Sequence, residues 1–136
     1  MGIDPAEFYA GAGCSLEKFS EHTGIPEVFL KQRGLSDGSV RYGRANLVPA
    51  VVIPYLKEDG TTDTCRYRIN NSGDKFRWKA GSKAKNKLYG AEHLAEFDPK
   101  NIIVVEGESD TLTLVYNGFQ AVGLPGRRVV RRRIAL

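Results

Sequence analysis

Two acidic residues follow an apolar run near the end of the chain. Residues 102–105 are apolar and β-branched, Glu106 comes directly after them, Gly107 follows, and Asp110 lies four positions beyond Glu106. The run predicts a strand buried on both faces in a parallel sheet. Open α/β folds bind ligands at the carboxyl edge of such a sheet. Carboxylates at that edge suit Mg²⁺, which takes oxygen ligands and keeps waters for substrate phosphates.

A structural interpretation of the same two acids is equally open. The dipole of a following helix favours acids at its N-terminus, so Glu106 and Asp110 can simply stabilise that helix end. Gly107 permits a sharp turn and leaves room for a phosphate or a metal ion.

The segments around these acids predict one β-α-β unit. After the strand, residues 106–109 form a tight link, Ser109 or Asp110 caps a helix that runs to Asn117, and residues 119–124 form the next short strand. A right-handed crossover is expected between the two parallel strands.

The preceding part of the chain predicts small α and β elements. Residues 15–24 and 26–33 are expected to form two short helices, with Val28, Phe29 and Leu30 buried in part. A polar loop or weak strand over 35–47 precedes a hairpin of residues 48–56 and 61–69, where two prolines favour an edge position or irregular strand ends. A basic strand over 75–79, a loop over 80–90 and a short helix over 91–97 follow.

Composition excludes several classes of protein. The 136 residues are 41% hydrophobic, enough for a core, and no run is long enough to span a membrane. The net charge of +4 does not describe the body of the chain, because five arginines lie in the last ten residues. Without them the chain has 15 basic and 16 acidic residues. Cys14 and Cys65 are predicted to be reduced thiols of a cytoplasmic protein, although a zinc site with His22 and His93 stays open.

Several ordered motifs resemble the catalytic core of primases and the opening of its toprim domain. The resemblance covers roughly residues 15–126 and is closest to phage or plasmid primases and primase–helicases. It is carried by Phe29–Leu35, Ile53–Tyr55, Glu58–Gly60, Arg66–Arg68, Lys75–Trp78, Gly81–Lys83, Leu88–Gly90, Val104–Leu112, Gly118–Val122 and Gly123–Gly126.

The resemblance implies roles for particular residues. Glu106 matches the toprim glutamate, which acts in metal-dependent acid–base chemistry, and Asp110 completes that motif. Both are therefore the expected catalytic residues and the expected ligands of Mg²⁺ or Mn²⁺. Contacts to single-stranded nucleic acid or nucleotides are expected from the basic residues Arg66, Arg68, Lys75, Arg77, Lys79, Lys83, Lys85 and Lys87, six of which lie within 13 positions that contain no acid. Alternatively, those six residues are simply the solvated cations of a strand edge.

The sequence departs from the resemblance after Gly126. No Asp-x-Asp pair follows, and neither an upstream zinc ribbon nor a downstream helicase is recognised, so metal binding is expected to be weak, if it occurs. Four parts are predicted: an extension over 1–14, a primase-core-like subdomain over 15–97, a partial toprim domain over 98–126 and an arginine-rich tail over 127–136. The tail can bind nucleic acid, can be a solvated terminus, or can come from a recombination junction or a frameshift.

The expected fold is therefore α/β with an α+β front, ending in an incomplete toprim-like parallel sheet. The predicted function is that of a truncated primase-like protein of a mobile genetic element, weak or inactive alone. Two alternatives remain: a non-catalytic module that binds nucleic acid or a partner, and an oligomerising protein. A homodimer, or coverage by the tail, is expected at the open edge of the strand over 119–124.

Overall fold

A computed structural model describes residues 13–42, 46–70, 76–78 and 87–125, with only the backbone described at residues 42, 46 and 76–78. The chain divides into two compact units, Met1–Pro54 with Cys65–Ala80, and Tyr55–Thr64 with Gly81–Leu136. The tip of a long hairpin therefore belongs to the second unit. No helix in the described ranges is both long and apolar enough to cross a membrane.

The first unit opens with the predicted pair of short helices. Helix α1 spans Leu16–Thr23 and helix α2 spans Glu27–Gln32. Ser15 caps α1 by accepting a hydrogen bond from the Lys18 amide, and Gly24 ends it with a φ of 74°. Leu16 and Phe19 are fully buried, but Val28 is 64% exposed. The expectation of partial burial at Val28 was therefore wrong, because α2 turns only one narrow face inward.

A four-stranded antiparallel sheet follows, in the order β1-β2-β3-β4. Its strands are β1 (Ser36–Tyr42), β2 (Asn46–Leu56), β3 (Thr62–Arg68) and β4 (Phe76–Trp78). The hairpin of β2 and β3 is confirmed, and the polar segment before it is a strand. Of the two alternatives that the prolines suggested, an edge position is wrong, because β2 lies between β1 and β3, whereas an irregular strand end fits Pro54. Pairing with β1 ends at Val52, so Pro54 has no partner on that side.

The core of the first unit lies between the helices and this sheet. Leu16, Phe19, Ile25, Leu30, Val51 and Ile53 are almost completely buried. The Asp37 side chain in β1 accepts a hydrogen bond from the Leu16 amide at 2.8 Å, which joins the sheet to the start of α1. Burial raises the pKa of the Cys14 thiol in this core, although the Arg68 guanidinium acts in the opposite direction.

The second unit contains the predicted β-α-β element. A short 3₁₀ helix spans Ala91–Glu96, strand β5 spans Ile103–Glu106, helix α3 spans Glu108–Tyr116 and strand β6 spans Ala121–Leu124. Strands β5 and β6 are parallel, with Ile103 opposite Ala121. The mixed α/β fold with an antiparallel front and a small parallel sheet is thus confirmed.

Two details of this unit differ from expectation. The apolar residues of β5 are half-buried, not buried on both faces, because β6 is its sole strand neighbour in the described ranges. Helix α3 starts one position before Ser109, and its first flanking residue is Gly107, so neither Ser109 nor Asp110 occupies the capping position.

Candidate functional site

Strand β5 delivers Glu106 to the carboxyl edge of the parallel sheet. Glu106 is the last residue of the strand, is opposite Leu124 of β6, and is exposed. The apolar residues before it pack into the unit, whereas the first acid marks the point where the strand leaves the core. The expected position of Glu106 is confirmed, and its catalytic role stays a prediction.

Two glycines, Gly107 in the turn after Glu106 and Gly123 in β6, let this turn pack closely against the sheet. Gly107 has a φ of 79°, which favours glycine, and its amide donates to the Leu124 carbonyl at 2.8 Å. Its carbonyl accepts from the Thr111 hydroxyl at 2.8 Å. Gly123 packs so closely that an added Cβ would lie 2.5 Å from the Gly107 carbonyl oxygen. These contacts hold the turn tightly against β6.

Asp110 lies on the far side of this turn. It occupies the first turn of α3, where the helix dipole favours an acid, and it is exposed. A Cβ added to Gly107 would meet no atom within 4 Å, so the space beside the turn is open. The structure thus places exposed Glu106 at the end of β5 and exposed Asp110 in the first turn of the following helix, on either side of the Gly107 turn.

These donors fit a hard divalent cation in their chemistry but not in their number. Both offer only carboxylate oxygens, as Mg²⁺ and Mn²⁺ prefer. Within the described part of the chain, no group of three or more His, Cys, Asp or Glu residues is arranged to hold a metal. Two carboxylates leave most of an octahedral shell to water or substrate phosphates, which suits weak binding. The same finding gives no support to a zinc site.

Glu108 is a residue of this region that sequence reasoning missed. Its side chain is fully buried, and one carboxylate oxygen accepts a hydrogen bond from the Tyr55 hydroxyl at 2.6 Å. The signal was helical spacing, because Glu108, Thr111 and Leu112 share the buried face of α3 at i, i+3 and i+4. The partner, 53 positions away along the chain, could not be read from that spacing.

The outer edge of β6 has a backbone partner at one position. Tyr89 and Gly123 exchange two backbone hydrogen bonds, of 2.7 and 3.0 Å, on the side of β6 away from β5. The expectation that the strand over 119–124 lacks a neighbour was therefore wrong at its centre. The Ile103 and Gly107 amides donate to the β6 side. Because successive backbone amides of a strand point in opposite directions, the amides of Val104 and Glu106 face away from β6.

The basic residues have different environments. Arg68 is buried, with its guanidinium 4.9 Å from the centre of the Phe19 ring, which favours a packing role. Arg66 is half-buried opposite Trp78. Lys87 is exposed and forms an ion pair with Asp63. The Arg77 backbone lies in β4, and Lys75, Lys79, Lys83 and Lys85 fall outside the described residues. Their contact with nucleic acid stays a prediction at every position.

The chain was compared with known proteins. No protein-family model matches it, and no curated protein does. Solved structures do match. The DnaG primase catalytic domain bound to ssDNA is 16% identical with a TM-score of 0.57, covering 90% of this chain and 50% of that chain. The E. coli primase catalytic core is 16% identical with a TM-score of 0.58, covering 90% of this chain and 49% of that chain. The primase fragment of the bacteriophage T7 primase–helicase protein is 20% identical with a TM-score of 0.52, covering 91% of this chain and 50% of that chain.

This likeness concerns the fold, since identities at this level do not carry function. The chain spans about half the length of the primase structures that it matches. The match covers nine-tenths of this chain. The described chain therefore has the fold of part of a DnaG-type primase catalytic core, including the beginning of a toprim-like sheet.

Proposed function

We propose that this chain is a primase-like protein, which binds single-stranded nucleic acid and nucleotides and carries the first acidic motif of a metal-dependent nucleotidyltransferase. The observation that carries the proposal is the exposed Glu106 at the carboxyl end of β5, with Asp110 exposed across a glycine turn. The structural neighbour solved with ssDNA supports the choice of nucleic acid as a partner. A cytoplasmic location and an origin in a mobile genetic element, of phage or plasmid type, belong to the same proposal.

In this proposal Glu106 and Asp110 hold Mg²⁺ or Mn²⁺ and keep it at the open side of the turn. The bound ion would neutralise charge that develops on transferring phosphoryl groups. Glu106, at the end of β5, would also be the group that accepts a proton near the reacting hydroxyl. Gly107 contributes by leaving space for a phosphate beside both carboxylates.

Two carboxylates are a small set for two-metal chemistry, so we expect the isolated chain to make little or no primer. The decisive experiment is therefore nucleotide binding with and without Mn²⁺. We expect Mn²⁺ to increase the affinity for a nucleoside triphosphate about fivefold or more, because an ion held by Glu106 and Asp110 would supply positive charge for the phosphates. Affinity that does not depend on Mn²⁺ would favour the alternative of a non-catalytic binding module. Robust primer synthesis by the chain alone would overturn the expected weakness.

The basic segment predicts salt-sensitive, sequence-independent binding of single-stranded DNA or RNA. Reversing the charge of Lys79, Lys83 and Lys87 together should weaken binding at least about tenfold at low salt, because phosphate contacts release counterions. Lys87 can still contribute although it pairs with Asp63, since an exposed ion pair is worth only about 1 kcal/mol or less. Fluorescence anisotropy over a salt series measures both the affinity and the slope.

The matched control reverses three exposed lysines outside that segment, Lys18, Lys31 and Lys57. This variant has the same net charge, so the long-range electrostatic effect is equal and the remaining difference reports local contacts. Deletion of residues 127–136 is the second comparison. If only the tail deletion weakens binding, the basic segment has been assigned wrongly.

A second candidate function, self-association, is favoured by the outward edge of β5. The backbone groups of Val104 and Glu106 face away from β6, where the described residues contain no further strand, and such an edge readily pairs with another chain. An antiparallel pair centred on Val104 is self-complementary, because it places Glu106 of one copy opposite Ile102 of the other and keeps the two acids apart. We therefore propose β5 as the contact of a homodimer.

Proline substitution distinguishes the two sides of β5. Val104→Pro removes an outward amide donor and should convert the dimer to a monomer that keeps its secondary structure. Val105→Pro, the matched control, removes a donor that faces β6 and should unfold the parallel sheet. Light scattering and circular dichroism read the two effects. A monomeric unmodified chain at high micromolar concentration would remove the dimer from consideration.

A further inference from the structure

The burial of Glu108 requires a physical reason. Its side chain has no exposed surface, although it lies only two positions after the exposed Glu106. Removing a carboxylate from water is costly unless hydrogen bonds replace the lost hydration. The Tyr55 hydroxyl supplies one at 2.6 Å, a length typical of strong bonds from a hydroxyl to a carboxylate. Tyr55 and Glu108 therefore form a buried polar pair under the turn.

Tyr55 is itself held from a second direction. Its ring lies edge-on to the Tyr89 ring, with centres 5.3 Å apart and planes at 61°. Tyr89 is fixed to β6, because its amide and carbonyl both bond to Gly123. Both tyrosines are almost fully buried. The ring contact with Tyr89 therefore helps to fix the position of Tyr55 relative to β6, in addition to the hydrogen bond from its hydroxyl to Glu108.

These contacts complete the support of the Glu106–Gly107 turn. On one side the Gly107 amide bonds to Leu124, and its carbonyl accepts from Thr111. On the other side Glu108 is tied to Tyr55. Glycine has the freest backbone of all residues, so a turn that contains it keeps one geometry only if both flanks are anchored. Without Glu108, the exposed carboxylate of Glu106 would sample a wider range of positions.

We propose that Tyr55 and Glu108 are positioning residues, which hold the Glu106–Gly107 turn in one geometry and thereby direct Glu106 toward the cation shared with Asp110. The metal part of this inference rests on the proposed function. Glu108 acts through the turn and not as a ligand, since its side chain is fully buried and accepts a hydrogen bond from the Tyr55 hydroxyl. Tyr55 comes from the tip of the hairpin, so a segment distant in sequence controls the acidic motif.

The first test is amide hydrogen exchange, which needs no metal. Tyr55→Phe should raise the exchange rate of the Gly107 amide about tenfold, because the buried hydrogen bond that holds the adjacent residue, Glu108, is lost. The Leu112 and Val122 amides should change much less. Glu108→Leu should behave like Tyr55→Phe, whereas Glu108→Gln keeps an acceptor for the Tyr55 hydroxyl and should preserve the protection of Gly107. Tyr116→Phe, at the other end of α3, is the matched control.

The second test measures Mn²⁺ affinity by electron paramagnetic resonance, well below the melting temperature of each variant. Tyr55→Phe should weaken binding about tenfold, as loss of a partner that orients a ligand does. Tyr116→Phe should bind as the unmodified chain does.

The possible outcomes are distinct. Equal acceleration of all amides, or no change at Gly107, overturns the inference, since the pair is then merely structural or irrelevant to the turn. Local acceleration with unchanged Mn²⁺ affinity overturns it as well. If the unmodified chain binds no Mn²⁺, the proposed metal site fails, and the exchange result alone decides whether Tyr55 and Glu108 position Glu106.

Discussion

Glu106→Gln is expected to remove Mn²⁺ binding, and with it any Mn²⁺-dependent nucleotide affinity, while changing the free energy of unfolding by no more than about 0.5 kcal/mol. The substitution keeps the size of the side chain and removes its charge. Because Glu106 is exposed and follows the packed part of β5, the core does not depend on it. The cation does depend on it, since Asp110 alone offers a single carboxylate.

The expected loss of Mn²⁺ affinity is about tenfold or more, because a direct ligand contributes at least as much as the groups that orient it. Titration followed by electron paramagnetic resonance gives the affinity, and urea denaturation gives the stability. Glu58→Gln is the matched control, since Glu58 is an exposed acid in the hairpin turn of the same unit. Unchanged Mn²⁺ binding in Glu106→Gln would refute the assignment of Glu106 as a ligand.

Gly123→Ala is expected to lower the free energy of unfolding by about 3 kcal/mol, a large part of the stability of a small domain. The added methyl group would lie 2.5 Å from the Gly107 carbonyl oxygen and would also overlap the Thr111 hydroxyl. A flexible side-chain end can move away at little cost, but a backbone carbonyl cannot. The turn that carries Glu106 would therefore have to shift away from β6.

Gly118→Ala separates this steric effect from the general cost of replacing glycine. Gly118 has a φ of 89° with no atom within 4 Å of an added Cβ, so its substitution costs only backbone strain, about 1 kcal/mol. Urea denaturation followed by circular dichroism compares the two variants. Adding Thr111→Ala to Gly123→Ala should cost less than the sum of the single changes, because one of the two overlapping groups is then gone. Equal costs for Gly118→Ala and Gly123→Ala would contradict the close packing.

Local sequence patterns were sufficient for the elements and for the place of Glu106. Ser15 and Gly24 bound α1, the Asp59-Gly60 turn joins β2 to β3, and the β-branched run before Glu106 forms β5. Each of these features depends on the conformational preferences of neighbouring residues, so a few consecutive positions contain the information. The right expectation that Glu106 is exposed has the same origin, because an acid after an apolar run marks the end of burial.

Only the tertiary structure decided which distant residues meet. The Tyr55–Glu108 hydrogen bond joins positions 53 residues apart, and the Tyr89–Gly123 bridge gives β6 a second backbone partner that its own sequence does not reveal. Likewise, only the pairing of β2 with β1 and β3 showed that its prolines belong to an inner strand of the sheet. Such pairings depend on the packing of whole elements, and a local preference for strand or helix does not distinguish one partner from another. For that reason the sequence alone determined the acid at the edge of the sheet, whereas the buried pair beneath it became visible only in the folded chain.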